Sequence, residues 1–189
     1  MSVSKEKIAS GDKEAFAQLF REHSGAIFRL AYSYVREEAA AYDLVQHAFE
    51  QAIKNASQYR GDSTPKAWLF SIAVNSAKNY LASRKKLNFE AGEEAFEAAM
   101  QLNPSKAPDA LLLDKETKRI FAEAFGSLPP KQKEVVRLRI GDEMSFKEIG
   151  AALSISENDA KVNYHHAVAK MKKLISAAQG YAPEESGGY

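Results

Sequence analysis

Residues 59–86 read YRGDSTPKAWLFSIAVNSAKNYLASRKK. Thr64 followed by Pro65 is a strong helix start, because proline lacks only an N–H that the first turn leaves unused. The helix it opens is predicted to run to about Lys86. Trp68 (the single tryptophan), Leu69, Ile72, Ala73, Ser76 and Tyr80 cover one side, while Ser71, Asn75, Lys78, Ala82 and Lys85 form a stripe at spacings of three and four. A helix apolar around most of its girth belongs in a core, with only a thin edge left to water. It predicts an all-α architecture.

The RGD triplet inside this stretch invites an adhesion reading, which needs an exported protein. The N-terminal MSVSKEKIASGDKEAF has no apolar core of a signal peptide, and no apolar run approaches the roughly 20 residues of a membrane span. The chain has no cysteine, hence neither a disulfide framework nor a thiolate metal site. A cytoplasmic setting without membrane insertion is expected, and the RGD is read as coincidence.

Outward from this helix, periodicity near 3.6 residues dominates and strand alternation is missing. Asp12 is placed to cap a helix whose Phe16, Leu19, Phe20, Ile27, Leu30 and Tyr34 share one face. A second helix sends Leu44, Val45, Ala48, Phe49, Ala52 and Ile53 inward and presents Asp43, Gln46, His47, Glu50 and Lys54 on its other face. Residues 1–86 thus form one small helical domain. Residues 87–108, LNFEAGEEAFEAAMQLNPSKAP, read as a flexible acidic linker ending in Asn-Pro and Ala-Pro breaks. A second helical domain spans 109–178: Leu113, Ile120, Phe121, Ala124 and Phe125 share one face, and Val135, Val136, Leu138 and Ile140 point inward after the SLPP stop. Residues 179–189 read as a disordered tail.

The net charge of +1 conceals a pattern: +4 over residues 1–86, −3 over 87–108, +2 over 109–178 and −2 in the tail. Two mildly basic blocks flank an acidic one: basic blocks attract polyanions and an acidic segment between them repels nucleic acid or mimics it, while ordinary surface scatter gives the same sums.

The second domain carries MSFKEIGAALSISENDAKVNYHHAVAKMKKLI over residues 144–175. Ser145 with Glu148 is a capping box that starts a helix at Phe146, and Gly150 is small enough for a second helix to cross closely. Ser154-Ile155 make a turn, and Ser156 with Asp159 caps the next helix. A short helix, a tight turn and a longer helix make a helix-turn-helix, whose second helix enters a major groove. Asn158, Lys161, Val162, Asn163, His165 and His166 are the candidate groove-facing residues, and Lys170, Lys172 and Lys173 suit phosphates. The adjacent histidines point about 100° apart and have no Cys, Asp or Glu partner one turn away, so no metal is expected. A plain three-helix packing unit with a solvated basic end is the competing reading.

In the first domain, Tyr59, Arg60, Asp62 and Ser63 precede the Asn75–Lys78 stripe. An aromatic and a guanidinium beside amide and lysine groups is how proteins hold unstacked bases. A core helix with an ordinary wet edge accounts for the same residues equally well at this level.

Taken together, GDKEAFAQLF, YDLVQHAFEQAIK, YRGDSTPKAWLFSIAVNSAKNYL and SLPPKQKEVVRLRIGDEMSFKEIGAALSI resemble, in order, the extracytoplasmic-function (ECF, group four) sigma factors of bacterial RNA polymerase, especially the envelope-stress kind. The resemblance implies a sigma region 2 helical bundle and a sigma region 4 helix-turn-helix. It implies core RNA polymerase, promoter DNA and an anti-sigma factor as partners, and no cofactor. Carried over, Asp43, Gln46, His47, Phe49 and Glu50 meet the polymerase. Tyr59, Arg60, Asp62, Ser63, Asn75 and Lys78 read the melted minus-ten strand. Asn158, Lys161, Val162, Asn163, His165, His166 and Lys170 read the minus-thirty-five element.

The chain departs from the family where His47 replaces an acidic residue and Gln51 a basic one. Asn163 and His166 replace arginines, and Asp159-Ala160 replace Thr-Val. Fewer fixed cations mean fewer phosphate contacts. A sigma-like mimic that binds an anti-sigma factor without reading promoters would keep the core and lose such readers. A plain helix-turn-helix repressor leaves the first domain unexplained. For an enzyme, the paired carboxylates, nucleophile–base motif or phosphate loop are lacking.

Overall fold

The computed structural model describes residues 3–83 and 115–178. The expected linker 87–108, the tail 179–189, Leu113 and the final turn of the third helix towards Lys86 lie outside the described residues. Among the described residues every regular element is helical. The helices are α1 (Lys5–Ala9), α2 (Lys13–Val35), α3 (Glu38–Lys54), α4 (Pro65–Ser83), α5 (Lys115–Gly126), α6 (Pro130–Ile140), α7 (Phe146–Leu153) and α8 (Glu157–Ala178), with a 3₁₀ turn at Ala56–Gln58.

Local chemistry sets the starts. The Asp12 carboxylate accepts from the Ala15 N–H at 2.8 Å and opens α2. The Thr64 hydroxyl accepts from the Ala67 N–H at 3.2 Å, with Pro65 as the first residue of α4. Pro129 and Pro130 end one helix and begin another at α6. The short α1 has no counterpart in the sequence reading. Ser4 caps it, and Ile8 is fully buried, which ties the N-terminus to the bundle.

Helices α2, α3 and α4 pack on one another as the first bundle. Phe16, Leu19, Ile27, Leu30 and Tyr34 of α2 are buried, as are Leu44, Val45, Ala48, Phe49 and Ala52 of α3. Three residues expected to point inward do not: Phe20 is 48 % exposed, Ile53 53 % and Ile140 55 %. Phe20 and Ile53 each follow a buried neighbour by one position, which turns them about 100° towards the bundle's rim. Ile140 is the last residue of α6, at the helix end, and is left exposed there.

In the second bundle, Phe125, Leu128, Val136 and Ala167 form a small cluster of their own. Val135 and Leu138 of α6, Met144 just before α7, Ile149 and Ala152 of α7 and Ala160 of α8 instead join one continuous core with α2, α3 and α4. Helix α7 lies along α4. That contact explains the composition of residues 59–86: α4 is covered by α2 and α3 on one side and by the second bundle on another. Phe70, Leu69 and Ala67 at its start are fully buried, and Val74 and Ala77 continue the buried surface. Trp68 is only half-buried, at the edge of this core.

Phe70→Ala should therefore lower unfolding stability by about 3–5 kcal/mol through loss of a buried ring. Asn75→Ala, at an exposed position, should stay within about 0.5 kcal/mol of wild type. Urea denaturation followed by circular dichroism measures both. A wild-type midpoint for Phe70→Ala would remove α4 from the centre of the core.

Candidate nucleic-acid interface

The loop before α4 is built by two devices. Gly61 has φ +77°, a region that residues with a Cβ rarely occupy, and an added Cβ there would meet the Lys5 side chain at 2.8 Å. Tyr59 donates its phenol hydrogen to the Ser63 carbonyl at 2.7 Å and lays its ring against Trp68, centroids 5.0 Å apart. At 6 % exposure Tyr59 has no face for a base to stack on. The expectation that Tyr59 is a stacking platform is corrected: it is the post that holds the loop. Burial won because the ring has an apolar neighbour in Trp68 and the hydroxyl an acceptor within its own loop.

Around this post the other candidates reach the surface. Arg60 and Asp62 are exposed and Ser63 is half-buried. Asn75 and Lys78 lie exposed on α4, one turn apart. Lys78 is engaged: its ammonium lies 3.1 Å from a Glu134 carboxylate oxygen of α6.

On α3, Asp43, Gln46, His47 and Glu50 form an exposed polar face, and the Gln46 amide donates to Glu50 at 2.9 Å. With Ser76, Asn79 and Tyr80 of α4 they line an open groove of about 560 Å³. Phe49 is not part of that surface. It is 6 % exposed and lies beneath Phe20, ring centroids 4.9 Å apart, so its place in the polymerase contact is corrected to a core role. The outer aromatic at this edge is Phe20, which the sequence reading placed inside.

The helix-turn-helix is formed by α7 and α8. The Ser145–Glu148 capping box is complete, and Ser154 closes α7 in the left-handed region at φ +55°. Ser156 accepts from the Asp159 N–H at 2.9 Å while the Asp159 carboxylate accepts from the Ser156 N–H at 3.3 Å. A Cβ on Gly150 would lie 2.8 Å from the Ile155 carbonyl, so the glycine makes room for the turn's backbone more than for a crossing helix.

Along α8, Asn158, Lys161, Val162, His165, His166 and Lys170 are exposed. Several have internal partners. Lys161 pairs with Glu157 at 2.8 Å, Lys170 donates to the Ser127 carbonyl at 2.7 Å, and half-buried Asn163 donates its amide to the Asp159 carbonyl at 2.8 Å.

The sequence reading left out the polar seam between the two bundles. Tyr34 donates to Glu134, and burial raises the phenol's pKa well above its ordinary range. Arg137 donates to the Ser33 hydroxyl and lies 4.7 Å from the Tyr34 ring centroid. Asp142 is 3.5 Å from Arg29, and Lys66 donates to the Asp142 backbone carbonyl. Burial raises the Asp142 carboxyl, against the pull of Arg29, Arg137 and Lys66. Thr64 donates to Glu148 at 2.8 Å. Burial would raise Glu148, but hydrogen bonds from the Ser145 backbone and from the Thr64 and Ser145 hydroxyls outweigh it and leave the carboxyl lowered. Such pairs join residues 56 to 113 positions apart, and no local pattern announces them.

No group of His, Cys, Asp and Glu that could hold a metal occurs among the described residues, and none of their helices is long and apolar enough to cross a membrane. Residues 19–87 match the family model Sigma-70 region 2, and residues 118–171 match Sigma-70, region 4. The chain is 33 % identical over 153 residues to the ECF RNA polymerase sigma-E factor of Escherichia coli K12, covering 78 % of this chain and 80 % of that one. It is 28 % identical over 153 residues to the RNA polymerase sigma-H factor of Pseudomonas aeruginosa, covering 78 % and 79 %. Among solved structures, CnrH in complex with the cytosolic domain of CnrY superposes with a TM-score of 0.63 at 25 % identity, covering 92 % of this chain and 95 % of that one. The sigma factor RpoE in complex with the anti-sigma factor NepR from Bartonella quintana shares the fold, with a TM-score of 0.56 at 20 % identity over 85 % and 96 % of the two chains.

Tyr59→Phe keeps the ring against Trp68 and removes only the bond to Ser63. It should cost about 1 kcal/mol and raise hydrogen exchange in residues 60–63 without touching the helices. Unchanged exchange in that loop would show that the phenol does not hold it.

Proposed function

The chain belongs to the extracytoplasmic-function RNA polymerase sigma factors and directs the core enzyme to promoters; we propose that its bundles divide that task through the following residues. The α3 face of Asp43, Gln46, His47 and Glu50 docks on core polymerase, with Phe20 as an apolar anchor at its rim. The loop residues Arg60, Asp62 and Ser63, with Asn75 and Lys78, capture the unpaired minus-ten strand. The α8 surface around Asn158, Lys161, Val162, His165 and His166 lies in the major groove of the minus-thirty-five element. On this reading residues 1–86, 87–108 and 109–178 act as reader, acidic tether and upstream anchor, in a cytoplasmic, envelope-stress type of regulator held in check by an anti-sigma factor. Bond formation belongs to the polymerase, and this chain contributes binding alone.

The observation that carries the reading is the pairing of a rigid α4 with the loop pinned by Tyr59. Melting needs a surface that binds unpaired bases better than duplex, since unstacking costs a few kcal/mol per step. Groups fixed on a helix packed on two sides are preorganised for that capture. Asn75 is exposed on the same helix whose neighbours Val74 and Ala73 are buried, so its amide is held in place without being part of the core.

Run-off transcription with core polymerase on genomic fragments should yield defined start sites. Transcripts without any promoter preference would favour the promoter-blind mimic. On those promoters, Asn75→Ala should abolish the holoenzyme's selectivity for the non-template minus-ten strand, read by fluorescence anisotropy with single-stranded oligonucleotides, while melting temperature stays put. Retained selectivity would make the stripe purely structural.

Lys161→Ala should weaken binding evenly across upstream-element variants and flatten the salt dependence by about one counterion. Because Lys161 also pairs with Glu157, the loss should be smaller than for an unpaired phosphate contact. A change confined to one base position would reassign Lys161 from phosphate to base.

A further inference from the structure

The short helix α1 has no part in the roles given above, and it lies outside the stretch matched to sigma region 2, which begins at residue 19. Its position is nonetheless fixed. Ser4 caps it, Val3 and Ile8 are buried, and it packs on the 3₁₀ turn Ala56–Gln58 that leads into the loop before α4. This carries Lys5, the first residue of α1, over Gly61. A Cβ built on Gly61 would meet Lys5 Cδ at 2.8 Å, Cγ at 3.3 Å and Cε at 3.5 Å, so the aliphatic stem lies where any other residue would hold a side chain. The ammonium is one bond beyond Cε, and the residue as a whole stays exposed. A lysine laid out in this way covers backbone with its stem and keeps its charge in water.

The charges around the loop give that ammonium a task. Arg60 and Asp62, both exposed, cancel within the loop. Lys78 is offset by Glu134, and Lys66 at the start of α4 is turned to the Asp142 carbonyl. The minus-ten reader as assigned therefore presents no net positive charge, although binding a strand's phosphates is driven by cations that displace counterions. Lys5 supplies one. Among the described residues its ammonium makes no ion pair or hydrogen bond, and the adjacent Glu6 carboxylate is held by its own N–H and the Ser4 hydroxyl, with Lys5 the weakest influence on it. We infer that Lys5 is a strand-binding residue, holding a phosphate of the unpaired minus-ten strand where it crosses Gly61; this rests on the assignment of the 60–63 loop and Asn75 as the reader. A phosphate contact carries no base information, so Lys5 contributes affinity while Asn75 contributes the choice of sequence.

The test uses full-length chains assembled with core polymerase. Lys5→Met keeps a stem over Gly61 and removes the charge, and Lys5→Arg keeps a charge. Lys7→Met removes a charge from the same helix, on a side turned about 200° away. Anisotropy at several salt concentrations reads binding of each holoenzyme to a labelled single-stranded minus-ten oligonucleotide taken from a run-off start site, and to a scrambled one. Lys5→Met should weaken both complexes alike and flatten the slope of log K against log salt by about 0.7, the value of one phosphate contact on a single strand. Lys5→Arg should restore the slope, and Lys7→Met should keep it. The melting temperature should be the same throughout.

A wild-type slope in Lys5→Met overturns the inference. An equal loss in Lys7→Met overturns it too, since that is a general effect of charge and not a contact at Gly61. A lower melting temperature with an unchanged slope makes Lys5 a packing residue alone. Asn75→Ala holoenzyme run in parallel separates the two readings. If it loses selectivity for the minus-ten strand while Lys5→Met keeps the wild-type slope, only the Lys5 contact is wrong. If it keeps selectivity, the reader assignment itself fails and the inference falls with it.

Discussion

Helix α4 must be covered on more than one side, and the rest of the molecule is arranged around that constraint. Phe70, Leu69 and Ala67 lose all contact with solvent, while Val74 and Ala77 keep almost none. Helices α2 and α3 supply one cover and α7 another. A three-helix bundle alone would leave one flank of such a helix in water, and each exposed large apolar side chain forgoes about 1.5–3 kcal/mol. The second bundle is thus drawn onto the first by the same effect that builds either one. The pairing of bundles is a property of α4's composition as much as of any specific bond between them.

On the proposed reading, this places two demands on one helix. A core element tolerates no polar group without a partner, whereas a strand reader needs polar groups aimed outward. The chain resolves the conflict by position along the helix. Apolar contact dominates its first three turns, and Asn75, Lys78 and Asn79 reach the surface only in the second half. The same economy appears in the loop before it, where Tyr59 serves packing through its ring and loop geometry through its hydroxyl. Rigidity under the reader comes from the core, so weakening the core would blur the reader before it unfolded the chain.

Much of this was legible in the residues, because caps and periodicity are local. Asp12, Thr64-Pro65, Ser145 with Glu148 and Ser156 with Asp159 start helices where the sequence places the starts, since each motif satisfies N–H groups within its own first turn. The resemblance to sigma factors rested on four such stretches in order, and the family matches over 19–87 and 118–171 agree with it. Legibility failed where facing depends on a neighbour. Phe20 and Ile53 fit the apolar pattern of their helices, but the bundle ends before it reaches them. Tyr59 looked available from sequence and is taken by Trp68, while Phe49, which periodicity sends inward and the family resemblance sends to the polymerase, is buried under Phe20. The seam of Ser33, Tyr34, Glu134 and Arg137 was invisible because its partners are separated by whole helices.

On the proposed reading of α8, the helix-turn-helix has a weaker electrostatic grip on DNA than its lysine count implies. Lys161 and Lys170 already hold Glu157 and the Ser127 carbonyl, and Asn163 spends its amide on its own helix. Each must exchange an internal partner for DNA, so the counterion release that drives phosphate binding is partly offset before contact begins. A domain of this kind gains occupancy chiefly through tethering. Once the first bundle is seated on polymerase at a promoter, the second meets its element at an effective concentration set by the connecting chain, without needing high affinity of its own. Weak intrinsic binding also keeps the free protein from lodging on arbitrary duplex. Promoter choice then depends on both bundles being engaged at once.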